Sequence, residues 1–201
     1  MAPIAARESA VEAGGARLRY LEAGQGSALI HLQPPGEWRL TRADDLLCQR
    51  FRVMAMEVSP DVTANTVALA LTALGIERLD LLGSSRAAET AVGLALLAPD
   101  RVQSLVLESP SRPDPTLGDG DDGQAAPLAV PTLVTIGTRD SAAEAARAFA
   151  NGIADAHLVF VYDAGPAIGE DRAEAFAEVV ADFLERREAF VISRADTVIH
   201  P

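Results

Sequence analysis

Gly83, Ser84, Ser85, Arg86 and Ala87 form a G-x-S-x-A frame between the apolar run "LDLL" and the small-residue run "AAETAVGLALLA". A serine at the centre of such a frame, on a tight strand-to-helix turn, is placed for nucleophilic attack, and small residues at the frame's ends let strand and helix approach closely. Its hydroxyl becomes a useful nucleophile only when a neighbouring base accepts the proton. Three histidines are available, His31, His157 and His200. Four carboxylates, Glu57, Glu108, Asp140 and Asp163, fall at the predicted carboxyl ends of strands, where open α/β sheets bind ligands. Their expected role is hydrogen bonding to loop backbone. Too few histidines accompany them to predict a metal centre, and no cofactor is expected.

The elements that position these groups alternate along the chain. "ARLRYLEAG" and "SALIHL" predict a hairpin across "GQG". "LTRADDLLCQR" is helical, "RVMAMEV" a strand, and "TANTVALALTALG" a helix ended by Gly75. The strand, turn, helix and strand of residues 79–110 follow. Regular structure resumes with strand "TLVTIG", helix "AAEAARAFANG", strand "HLVFVYD" and the long amphipathic helix "EDRAEAFAEVVADFLERRE". This order predicts an α/β fold with a mostly parallel open sheet and helices on both faces.

Residues 111–127, dense in Pro, Gly and Asp, have no hydrophobic period and predict a surface loop. Its "DGDDG" lacks the closing glutamate of a calcium loop. The tail, residues 189–201, carries a short β-prone run that could lie on the chain's own surface or pair with another copy, so a homo-oligomer through this tail is one expectation.

The 201 residues, 49% of them apolar, suffice for one domain over 1–201, and a formal net charge of −12 argues against nucleic acid or an anionic membrane as partner. A small molecule is the expected ligand. Cys48 is the single cysteine, so no intrachain disulfide can form, and a reducing, cytoplasmic location is expected. Residues 1–18 include Arg7 and Glu8 and lack the apolar core of a secretory signal.

The chain resembles the α/β-hydrolase superfamily over about residues 15–186. "SALIHLQPPG" looks like the family's strand 3 and its turn, "FRVMAMEVSP" like strand 4, "APDRVQSLVLESP" like the approach to strand 6, and "VPTLVTIGTRD" like strand 7 with the triad acid. The resemblance implies Ser85 as nucleophile and Asp140 as acid, with Glu108 an alternative acid because some relatives take theirs after strand 6. Backbone N–H groups of Gln33 and Arg86 would form the oxyanion hole. His31, Leu32 and Arg86 would face the ligand, with His31 bracing the oxyanion loop. Arg86 either holds an anionic ligand or pairs with Asp140 or Glu108. The cap of many relatives would be reduced to the loop 111–127.

The family places its histidine after strand 8, in a segment similar to "DAGPAIGEDRAEAF", and here Pro166 occupies that position. Proline has no titratable group. His157 starts strand 8, about 20 Å from its active end at ~3.3 Å per residue, and His200 lies in the tail. Leu32 also stands where the family has glycine. The expectation is therefore a hydrolase-fold protein that has lost ordinary hydrolysis and serves in binding or assembly. The alternatives are an esterase or thioesterase with a displaced or partner-supplied base, and a lyase or cyclase reusing the pocket for proton transfer.

Overall fold

The structure is a computed structural model that describes residues 5–36, 38–111, 128–190 and 198–199. Strands β1 (Arg7–Ala13) and β2 (Ala16–Ala23) lead into β3 (Ala28–Gln33), α1 (Arg42–Leu47), β4 (Arg52–Glu57), α2 (Ala64–Ala73), β5 (Leu79–Ser84), α3 (Ala87–Leu97) and β6 (Val102–Glu108). Then come β7 (Thr132–Gly137), α4 (Ala143–Gly152), β8 (Ala156–Val161), α5 (Ile168–Asp171), α6 (Ala173–Arg186) and β9 (Val198–Ile199). The strands form one sheet in the order β1-β2-β4-β3-β5-β6-β7-β8-β9, antiparallel at β1-β2-β4 and parallel from β4 onward.

The expected hairpin between residues 16–23 and 28–33 does not form. β2 pairs instead with β1 and β4, and the hairpin turn is Gly14-Gly15, with φ of 58° and 80°. Two consecutive positive φ values suit the two-residue turn whose twist matches the strands it joins, and glycine adopts them without a Cβ penalty. The link after β2 instead runs close beneath α1, where a Cβ on Gly24 would collide with backbone carbonyls of Phe51 and Cys48.

Alternation along each strand divides the apolar side chains between two cores. Ile30, Leu32, Leu81, Leu105 and Leu107 pack with α2, α3 and α4, whereas Leu29, Leu82, Val106, Leu133 and Val159 pack with α1 and α6. Side chains two apart share a face. His31 and Gln33 therefore follow Leu29, Ser84 follows Leu82, and Glu108 follows Val106, all toward the α1/α6 side. Strands β3, β5 and β6 are neighbours, with His31 beside Leu82 and Ser84 beside Glu108.

Of the segment 111–127, all but Ser111 lies outside the described residues, so the expected replacement of a cap by a loop does too. Within the tail, Val198–Ile199 pairs in parallel with Phe160–Val161 of the same chain. Among the described residues no helix is long and apolar enough to cross a membrane.

Gly83 is where β5 and α3 touch: a Cβ there would stand 2.6 Å from Ala91 Cβ and 3.0 Å from Ala88 Cα. Gly83→Ala should therefore lower stability by about 1–3 kcal/mol, the usual cost of overpacking a filled core. Urea unfolding measures it as a lower midpoint at unchanged slope.

Candidate functional site

At the carboxyl ends of β3, β5 and β6 lies a small cavity of about 100 Å³, whose wall includes Ser84, Ser85, Glu108, Arg39, Pro166 and Glu170. Arg39 Nε donates to Glu170 Oε1 at 3.1 Å, a pair that ties the loop after β3 to α5. Ser85 sits between β5 and α3 with φ of 52°, the left-handed backbone expected of a sharp strand-to-helix turn. Its N–H donates to the Glu108 carbonyl at 2.9 Å. No described residue hydrogen-bonds its hydroxyl.

Ser84, the residue before it, is the one with a base. His31 Nε2 and Ser84 Oγ are 2.7 Å apart, and His31 Nδ1 lies 3.0 Å from both carboxylate oxygens of Asp44. On its other side Ser84 Oγ is 2.5 Å from Glu108 Oε2. Glu108 Oε1 accepts the Gly169 N–H at 2.8 Å. The chain Asp44, His31, Ser84, Glu108 thus crosses three strands and ties α1 to α5.

Asp44 is aimed by its own helix. Thr41 caps α1, its Oγ1 accepting the Asp44 N–H at 3.0 Å, while Asp44 Oδ2 accepts the Thr41 N–H at 2.9 Å. This reciprocal capping box fixes the carboxylate without spending its contact to His31. Gln33 holds the adjoining loop, with Nε2 donating to the Arg39 carbonyl at 2.8 Å and Oε1 accepting the Arg39 N–H at 3.0 Å.

Two arrangements of a single proton between His31 and Glu108 satisfy every link of the buried chain. With Glu108 ionised, imidazolium Nε2–H donates to Ser84 and Ser84 donates to Glu108. With Glu108 protonated, its O–H donates to Ser84 and Ser84 donates to neutral His31. The net charge is the same in both. Burial pulls the His31 pKa down, but the charge and hydrogen bond of Asp44, with the charge of Glu108, outweigh it and the pKa is raised. Burial pushes the Glu108 carboxyl up, against the opposing effects of His31, Ser84 and the Gly169 N–H.

The fold brings some of the expected positions to the cavity and holds others away from it. Pro166 does line the cavity with Ser85 and His31. Leu32, expected to face the ligand, is fully buried in the core beneath α2 and α3, because alternation turns it away from His31. Asp140 does not reach the cavity wall. Its Oδ1 accepts the Ala142 N–H at 2.8 Å ahead of α4, and Oδ2 is buried without a partner. Arg86 lines a separate cavity with Pro34, Ser59 and Glu89, and no ion pair joins it to Asp140 or Glu108 among the described residues. Gln33 ends β3 opposite Glu57, its carbonyl accepting the Val58 N–H at 2.8 Å. His157 packs edge-on against Phe183 and Phe190, away from the cavity. Glu57 accepts the Gly36 N–H at 3.2 Å, the loop-backbone role expected of it.

Sequence reasoning missed Ser84 and Asp44. The signal for Ser84 was its parity with Leu82 on the same face as His31 and Glu108. For Asp44 it was the T-x-x-D spacing of a capping box.

The chain has the α/β-hydrolase fold. It superposes on a serine hydrolase involved in carbazole degradation with a TM-score of 0.76 at 21% identity, over 91% of this chain and 100% of that one. An enol-lactonase from Burkholderia xenovorans gives 0.72 at 20% identity, over 88% and 100%. An α/β-hydrolase enzyme from a lagoon-sediment metagenome gives 0.71 at 19% identity, over 90% and 99%. No family profile and no curated protein sequence matches the chain.

The two raised pKa values set a sign for stability. A group that binds its proton more tightly when folded stabilises the fold below its unfolded pKa and loses that contribution as pH rises through its folded pKa. For His31 the loss falls above its ordinary value of 6.5, and for Glu108 above 4.5. The urea midpoint should accordingly fall as pH rises above 6.5, and His31→Gln should flatten that fall.

Proposed function

We propose that the protein binds a small molecule in the cavity beside Ser85 and does not hydrolyse esters through Ser85. The observation that carries this reading is the commitment of His31 Nε2 to Ser84 at 2.7 Å, with Pro166 in the cavity wall beside Ser85. An alcohol without a base at hydrogen-bond distance is a weak nucleophile. The hydrolases of like fold lend the scaffold, and the neighbouring esterases and lactonase share under 25% identity with this chain. Ser85 keeps the strained turn of an elbow without a partner to activate it.

The ligand is small. The cavity of about 100 Å³, with the Arg39 and Glu170 pair and the serine hydroxyls in its wall, suits a short compound that carries a polar group. A single buried cysteine, Cys48, fits a reducing, cytoplasmic setting. The test is steady-state hydrolysis of p-nitrophenyl butyrate at large substrate excess. The expected rate stays near the buffer blank and is the same for Ser85→Ala. Sustained turnover that disappears in Ser85→Ala would overturn the reading.

A further inference from the structure

We infer that Ser84, not Ser85, is the reactive hydroxyl of this site, and that it takes up one small acyl group from an activated ester and retains it. This rests on the reading above that Ser85 has no base. Asp44, His31 and Ser84 stand in the order and at the spacings that activate a hydroxyl: carboxylate to Nδ1 at 3.0 Å, and Nε2 to Oγ at 2.7 Å. The acid comes from α1, the base from β3 and the hydroxyl from the last residue of β5, so the set is assembled from places other than those the sequence resemblance implied. Ser84 is also where the chain meets the cavity. His31 is 1% exposed and Glu108 4%, while Ser84 is 9% exposed and lines the wall.

The step balances within these groups. Ser84 Oγ bonds to the acyl carbon, the bond from that carbon to the leaving oxygen breaks, and the leaving phenoxide or alkoxide takes the electron pair. The Ser84 proton passes to His31 Nε2 and from there to the departing oxygen or to solvent. His31 must be neutral to accept it, and the second proton arrangement, with Glu108 protonated, provides that state. Asp44 is a positioning residue that holds Nδ1–H toward itself and Nε2 toward Ser84.

Retention follows from the burial of His31. Hydrolysis of the acyl group needs a water held between His31 and the new ester, and an acetyl group on Ser84 would stand between solvent and an imidazole that is 1% exposed. The outcome is a single modification in place of turnover.

The chain is suited to the measurement, because all 17 of its basic side chains are arginine and none is lysine. Its one thiol, Cys48, is buried, and desolvation with the charges of Asp44 and Asp45 pushes it up to about 12. Background acylation is correspondingly low.

The experiment treats the full chain with p-nitrophenyl acetate, reads p-nitrophenolate release against time, and locates the acetyl group by fragment-ion sequencing that separates Ser84 from Ser85. The expected result is a burst approaching one equivalent, acetyl on Ser84, and a rate that falls about 100-fold or more in His31→Gln, the scale of a lost general base. Because His31→Gln removes a buried partner and could fail to fold, Asp44→Asn gives an independent reading from its pH profile. Asp44 from α1, Glu108 from β6, and Arg39 and Glu170 at the mouth are the charged groups around His31, and Asp44 is the first of these to raise its pKa. Its removal should move the midpoint of the acetylation rate to lower pH. Acetyl on Ser85, acetyl on neither serine, or an unchanged rate in a folded His31→Gln chain would each overturn the inference. Sustained turnover that disappears in Ser84→Ala would overturn the inference at retention, and no acetyl with no turnover would overturn it at Ser84 while leaving the binding reading intact.

Discussion

The buried contact between His31 and Ser84 constrains more of this molecule than any other. Polar groups removed from water cost several kcal/mol unless they are hydrogen-bonded, and a chain of such groups must be satisfied at every link. His31 needs Asp44, which obliges α1 to begin at Thr41 with its capping box intact. Ser84 needs Glu108 on its far side, which obliges β5 and β6 to hold their register to the last residue. Glu108 in turn needs the Gly169 N–H, and with it the placement of α5 and the loop that carries Pro166.

That dependence explains how a frame of small residues and serines serves two hydroxyls differently. Adjacent residues at the end of a strand point apart, so Ser84 faces the α1/α6 side while Ser85 sits on the turn with a left-handed backbone. The base resides with the first. Pro166, which fixes its own φ and offers neither an N–H nor a titratable ring, occupies the cavity wall beside the second. The fold is that of hydrolases, and of the two neighbouring serines Ser84 is the one that meets an imidazole among the described residues.

Much of the architecture was legible in the sequence. The runs at 79–84, 102–108 and 132–137 gave strands, Thr63 and Gly75 bracketed a helix, and the small residues at Gly83 and Ala87 marked a close crossing. The hairpin was misplaced because two glycine-containing links compete: Gly14-Gly15 and Gly24-Gln25-Gly26 both have turn composition, and the choice depends on β2 pairing with β4, a contact 30 residues away in sequence at Glu22 and Arg52. The buried chain was hidden for a related reason. His31, Ser84 and Glu108 belong to one face only once β3, β5 and β6 are known to be neighbours, and periodicity within a strand carries no information about which strand lies beside it. Asp44 sits on a six-residue helix whose capping box was visible as spacing but whose target was not.

The state of the His31 ring tests the account most directly. In the full chain labelled with nitrogen-15 histidine, the Nδ1–H of His31, shared with Asp44 and shielded from water, should appear as a far-downfield, slowly exchanging proton, assigned by its absence in His31→Gln. Nε2 should show the shift of a hydrogen-bonded nitrogen that moves when Ser84 is changed to Ala. A His31 ring whose protons exchange at the rate of free imidazole, with nitrogen shifts indifferent to Asp44→Asn and Ser84→Ala, would contradict the buried chain and everything built on it.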